Sequence, residues 1–188
     1  MTTFIPTRQD ALAILKEFNK NQALINHAIA VEAVMRYIAR KQGEDEEKWG
    51  IIGLIHDLDY EMYPEEHCKK IREILVSRAW PEEFIRATES HGWQICTDIR
   101  PETALEKTLY AIDELTGLVA ACALVRPSKS VMDLEVKSVK KKWKQKNFAA
   151  GVNREIIAKG AELCGIELSE LISNTIMGMR EVADEIGL

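Results

Sequence analysis

Residues 102–125, ETALEKTLYAIDELTGLVAACALV, form a long stretch in which apolar residues occupy nearly every face of a helix. At 1.5 Å per residue such a helix is about 36 Å long. A helix that is apolar almost all round belongs inside a protein rather than on its surface, so this one is the expected centre of the core. It ends before Pro127, because the residue ahead of a proline is pushed out of helical backbone. The longest unbroken apolar run, Leu118 to Val125, is far short of the roughly 18 residues a membrane span requires. Asp113 interrupts the pattern. It stands in the middle of the helix, beside Ile112 and one turn after Leu109, where a carboxylate is hard to explain as solvated surface.

The segments on either side are helical too. Thr7 with Asp10 three residues on is a weak capping box, followed by Ala11, Leu12, Ile14, Leu15 and Phe18 at helical spacing. Asn21 or Asn26 caps a second helix with the stripe Leu24, Ala28, Val31, Met35 and Ile38, and Gly43 stops it. The acidic run Glu44–Glu47 opens a third through Trp49, Ile52 and Ile55 to His56, since carboxylates favour a helix N-terminus. Pro64 and Pro81, each followed by two glutamates, read as first-turn prolines of two more helices, with Ile71, Ile74 and Leu75 on one and Phe84, Ile85 and Thr88 on the other. Beyond Pro127 the pattern predicts helices near Val131–Lys144, Val152–Cys164 and Ser169–Ile186. No segment alternates as a strand and no Asn-Gly or Asp-Gly turn is present. The expectation is an all-α bundle of eight or nine helices.

Composition narrows the class. The chain of 188 residues is 46% hydrophobic and 29% charged, ordinary for a globular domain and unlike a disordered or collagen-like chain. Twenty-five Lys and Arg against 30 Asp and Glu leave a net charge of −5, which argues against a general nucleic-acid binder. Thr2 to Asp10 is polar and mixed, so no secretory leader is read there. Cys68, Cys96, Cys122 and Cys164 are scattered without a CxxC pair, which predicts neither a structural zinc nor a disulfide framework and fits a reducing cytoplasm. Oligomeric state is not legible.

All four histidines fall between residues 27 and 91. His27 lies on the apolar stripe of the second helix, His56 and Asp57 end an apolar helix together, His67 follows Pro64, and His91 precedes Gly92. With Asp113 the chain order is His, His-Asp, His, His, Asp. Imidazole nitrogens with carboxylate oxygens suit Zn, Fe, Mn, Co or Ni, and one or two ions are expected. Asp57, with two oxygens, has the means to bridge two ions. Convergence requires several helices to bundle around one pocket. Each residue also has a plainer explanation: a hydrogen-bonded core histidine for His27, an exposed histidine in a charged turn for His67, a helix C-cap for His91, and a buried ion pair for Asp113. One metal site accounts for them together.

The sequence resembles the HD-domain superfamily of metal-dependent hydrolases, and is similar to small, uncharacterised bacterial HD proteins. The resemblance is carried by His56-Asp57-Leu58-Asp59-Tyr60-Glu61, His91-Gly92-Trp93, Asp113-Glu114-Leu115-Thr116-Gly117 and Ala123-Leu124-Val125-Arg126-Pro127-Ser128-Lys129. It covers nearly the whole chain and implies one domain over residues 1–188, with a metal-binding core at about 21–126 and C-terminal helices at about 130–187 packed on it. It implies His27, His56, Asp57 and Asp113 as ligands of a first metal. Members with two metals add two histidines, matched here by His67 and His91, with Asp57 bridging. Two departures matter. Many catalytic relatives follow the doublet with Gly-Lys, whereas Leu58-Asp59-Tyr60 follows here, and the Gly-Tyr-Pro segment of cyclic-dinucleotide phosphodiesterases is missing. Asp59 is either an acceptor that holds a histidine or water, or a turn residue.

The reaction expected first is hydrolysis of a small-molecule phosphate ester, with a nucleotide as one candidate, by a metal-activated water. Asp57, His67 and His91 are the expected catalytic residues, the histidines serving as proton donors or phosphate contacts if they are not ligands. Arg126, Lys129 and Arg100 are the expected phosphate contacts. The Lys-rich stretch from Arg126 to Lys146 reads first as a solvated helix face, with a phosphate-gathering rim or an RNA-facing patch as the alternatives. Two other classes share the ligand order: an HD-fold di-iron oxygenase of a small polyol or phosphonate, and a non-catalytic, metal-stabilised scaffold that binds a nucleotide.

Overall fold

The computed structural model describes residues 4–188, so residues 1–3, on which part of the leader reading rests, lie outside the described residues. Ten α-helices follow one another: α1 (Arg8–Phe18), α2 (Gln22–Gln42), α3 (Glu46–Ile55), α4 (Lys69–Ser77), α5 (Glu82–Ser90), α6 (Ala104–Leu124), α7 (Val136–Trp143), α8 (Arg154–Cys164), α9 (Leu168–Arg180) and α10 (Ala183–Ile186). A 3-10 turn at Pro64–Glu66 precedes α4. Among the described residues the only β-type pairing is an isolated bridge between Trp93 and Thr97. The all-α class is as expected.

Local chemistry sets the boundaries. Thr7 and Asp10 make the reciprocal capping box of α1. Asn21, not Asn26, caps α2 by accepting from the Ala23 amide at 2.9 Å, and Gly43 closes it in the left-handed conformation. Asp45 caps α3 through the Lys48 amide.

Three boundaries differ from expectation. Pro64 opens a single 3-10 turn rather than a helix, and α4 begins only after Cys68, whose φ is +68°. The helix expected from Val131 begins at Val136, because Asp133 is engaged by Arg126 and Ser128 in the preceding turn. The last helix breaks after Arg180 and resumes at Ala183, which raises the count to ten.

The long helix does occupy the centre. Leu109, Tyr110, Ala111, Ile112, Leu115, Leu118 and Val119 of α6 are fully buried, and α2, α5, α7, α8 and α9 pack around it. α2 lies between α3, α6 and α9. Its contact with α3 depends on Gly53: a Cβ there would stand 3.0 Å from Met35 Cγ and 3.2 Å from the Val31 carbonyl oxygen. That close approach brings the end of α3 against α2. No helix among the described residues is long and apolar enough to cross a membrane.

Candidate metal centre

Six side chains from five places in the chain meet around one carboxylate, that of Asp57. His27 projects from the first turns of α2, Asp113 from the middle of α6, His56 and Asp57 from the loosening end of α3, His67 from the end of the 3-10 turn, and His91 from the end of α5. Asp57 is at their centre. Its Oδ2 lies 3.4 Å from His56 Nε2 and 3.8 Å from His27 Nε2. Its Oδ1 lies 3.3 Å from His91 Nε2 and 3.5 Å from His67 Nε2. Asp113 Oδ1 stands 3.0 Å from His27 Nε2 and 3.3 Å from His56 Nε2. Thus each oxygen of Asp57 faces its own pair of imidazoles.

The far side of three rings fixes which nitrogen faces inward. His56 Nδ1 donates to the Gly53 carbonyl at 2.7 Å. His91 Nδ1 donates to the Thr88 carbonyl, and His67 Nδ1 is held by Asp59 Oδ1 at 2.8 Å. With a proton committed to each Nδ1, a neutral ring turns its Nε2 lone pair towards Asp57, the arrangement that outer hydrogen bonds impose on metal-bound histidines. Asp59 is fully buried and also accepts from the Ile71 amide at 3.1 Å, so it holds His67 rather than merely making a turn.

These residues fit a cation. His56 is wholly buried and its Nε2 has no hydrogen-bond partner, yet it faces two carboxylates. A lone pair against two anionic oxygens is unfavourable unless a positive charge lies between them. Without an ion a proton takes that role. Burial alone would lower the His56 pKa, but Asp57 and Asp113 outweigh it and hold the ring well above its usual range. Burial would likewise raise both carboxyls, and His56 foremost holds Asp57 well below the carboxylate range and Asp113 low with it. Of the three groups among the described residues that could hold a metal ion, two share Asp57: His27, His56, Asp57 and Asp113, and Asp57, His67 and His91.

A family model for the HD domain matches residues 24–118, just over half of the chain. The chain belongs to the HD-domain family. Among curated proteins and among solved structures, nothing matches it. All six clustered side chains lie inside the HD match, whereas α7 to α10 lie beyond it. HD domains bind divalent metals and are mostly metal-dependent hydrolases, so hydrolase-type chemistry is the activity this membership supports.

The centre opens into a cavity of about 390 Å³, whose wall includes His27, Asp57, His67, His91 and Asp113 with Tyr60, Ile95, Cys96 and Glu114. Glu114 accepts from the Asn153 amide at 3.1 Å, and burial pushes its carboxyl upward. Its place beside Asp113 was the signal for it in the sequence.

Neither Lys nor Arg lines this cavity, so the three expected phosphate contacts are not brought to it. Arg126 lies 13 residues beyond Asp113, about 20 Å along the α6 axis, and is clamped by Asp133 at 2.8 and 3.0 Å. Lys129 follows in the same exposed turn, and Arg100 stacks over Trp93 at 5.5 Å. The Lys-rich stretch lies on α7 and just past it, outside the cavity wall, with Lys137 paired to Glu135.

The cysteines bring the larger correction. Cys68 and Cys96 are joined by a disulfide, with Cα atoms 6.2 Å apart across 28 residues. The scatter in sequence concealed it, because the turn after His91 folds Cys96 back onto the residue that follows His67. Cys122 and Cys164 are free.

Proposed function

We propose that residues 1–188 work as one HD domain, with the metal-binding core at about 21–126, that hydrolyses a small-molecule phosphate ester at a two-metal centre bridged by Asp57. The observation that carries the reading is the division of Asp57: one oxygen faces His27 and His56, the other faces His67 and His91. His27, His56, Asp57 and Asp113 would hold the first ion, and Asp57, His67 and His91 the second. When bound, divalent metals here supply Lewis acidity and a water deprotonated near neutral pH.

The chain's own residues do the rest. Asp57 fixes the spacing of the two positions and carries negative charge that both share. Gly53, Thr88 and Asp59 keep three imidazoles in the tautomer that offers Nε2 to the pocket. Glu114, at the wall, is able to hold a proton near the reacting groups. Tyr60, edge-on to His67 at a centroid distance of 5.1 Å, and the exposed Ile95 give the mouth apolar sides against which a flat or apolar portion of the substrate packs.

One observation favours a second reading. A phosphate is usually met by cationic side chains, and the wall has none. An HD-fold di-iron oxygenase of a small polyol makes no such demand, and its ligands occupy the same order.

The test is a metal analysis of protein purified without chelator, followed by a phosphatase screen with Mn, Co, Ni, Zn and Fe restored singly. Phosphate release that disappears in Asp57→Ala supports the hydrolase. Oxygen consumption by an iron-loaded sample that releases no phosphate from any ester transfers the assignment to the oxygenase. Bound metal with neither activity leaves the scaffold.

A further inference from the structure

The disulfide abuts the second half of the centre. Cys68 is the residue after His67 and is buried, and its Sγ lies 4.0 Å from His91 Nε2. Cys96 is partly exposed and lines both the 390 Å³ cavity and a neighbouring one of about 550 Å³ that also reaches His67. Between the sulfurs and the His91 backbone lies Gly92, where any Cβ would collide with both Sγ atoms. The space that admits the two sulfurs depends on that glycine. Ligand atoms of His67, Cys68 and Cys96 all fall within 4.8 Å of one another, the two sulfurs through the bond that joins them.

We propose that reduction of the disulfide lets Cys68 and Cys96 join His67 as a soft metal position, which takes a thiophilic divalent ion such as Zn²⁺ or Co²⁺ in place of the second ion of the Asp57 centre. It rests on the proposed metal centre in that His67 Nε2, with Nδ1 held by Asp59, serves one position or the other. A disulfide sulfur is a poor ligand, whereas two thiolates with an imidazole favour zinc-like ions strongly. Opening the bond therefore changes both the charge and the softness of the donors next to His67 and His91.

An external thiol supplies the electrons. Its thiolate attacks the more accessible Cys96 sulfur, the Cys68–Cys96 bond breaks, and Cys68 leaves as a thiolate beside His91. A second external thiolate attacks the mixed disulfide and releases Cys96 as a thiolate. The external thiols end as their own disulfide, two electrons having passed to the protein sulfurs. An oxidised small-molecule disulfide drives the reverse.

The test is a Co²⁺ titration of metal-stripped full-length protein in two pools, one reduced by dithiothreitol and desalted without oxygen, the other oxidised by glutathione disulfide. The readings are bound equivalents and thiolate-to-cobalt absorption in the near ultraviolet. The reduced pool is expected to take as many equivalents as the oxidised pool and alone to show that absorption. Cys68→Ser and Cys96→Ser, each checked for helical content, should lose it, while Cys164→Ser should keep it. Cobalt bound by both pools without thiolate absorption in either overturns this inference and leaves the Asp57 centre standing. Thiolate absorption in the reduced pool, with no cobalt held by the oxidised one, supports this inference and removes the Asp57 centre. Four free thiols in the pool treated with oxidant contradict the gate itself.

Discussion

The two sides of Asp57 are built from different material. On the Oδ2 side, His27 and Asp113 are carried by α2 and α6, which pack against each other within the core, and His56 ends an α3 pressed against α2 through Gly53. An ion held there would be positioned by the same contacts that hold the bundle together. On the Oδ1 side, His67 ends a three-residue 3-10 turn and His91 ends the nine-residue α5. Their orientation rests on two acceptors, Asp59 and the Thr88 carbonyl, and their neighbour is a disulfide reachable from two cavities. The first side is therefore held by the helix packing of the core, and the second by hydrogen bonds at the ends of two short segments.

The contrast can be broken by substitution. Asp57→Ala removes the residue both sides share, so both ions and at least about 10³-fold of activity should be lost, the scale on which an electrostatic partner of the transition state is felt. Bound metal counted by elemental analysis and initial rates check this, with circular dichroism showing the helices retained. His56→Ala should empty the first side. His91→Ala should lower the stoichiometry from two ions to one, with the His27 side still occupied in a metal count.

Smaller changes sharpen the same contrast. Asp59→Ala frees His67 without removing it and should weaken the second position by about 10- to 100-fold in affinity, the usual effect of losing an outer hydrogen bond, while the first is unaffected. A competition titration against a coloured chelator resolves the two. Arg126→Ala, which opens only an exposed pair with Asp133, should leave turnover within about twofold.

The first side was legible in the sequence and the second only in part. Asp113 stood out because a carboxylate in an apolar helix has few uses, and His27 followed from the stripe on α2. Caps such as Thr7, Asn21 and Gly43 act within a few residues, so their reading carried into the structure. Asp59 was ambiguous because its partner, His67, is eight residues away across an irregular turn. The disulfide was illegible for the same reason at greater range: it depends on two loops meeting over Gly92, which no local pattern encodes. The phosphate contacts failed on length. Arg126 follows Asp113 closely in sequence, but a straight helix carries it away from the centre.

The most direct measurement is anomalous diffraction from crystals of the protein loaded with Mn²⁺ or Co²⁺. Two peaks are predicted on opposite sides of the Asp57 carboxylate, one within bonding distance of His56 Nε2 and the other of His91 Nε2. Fully loaded crystals with no peak beside His56 Nε2 would contradict the account.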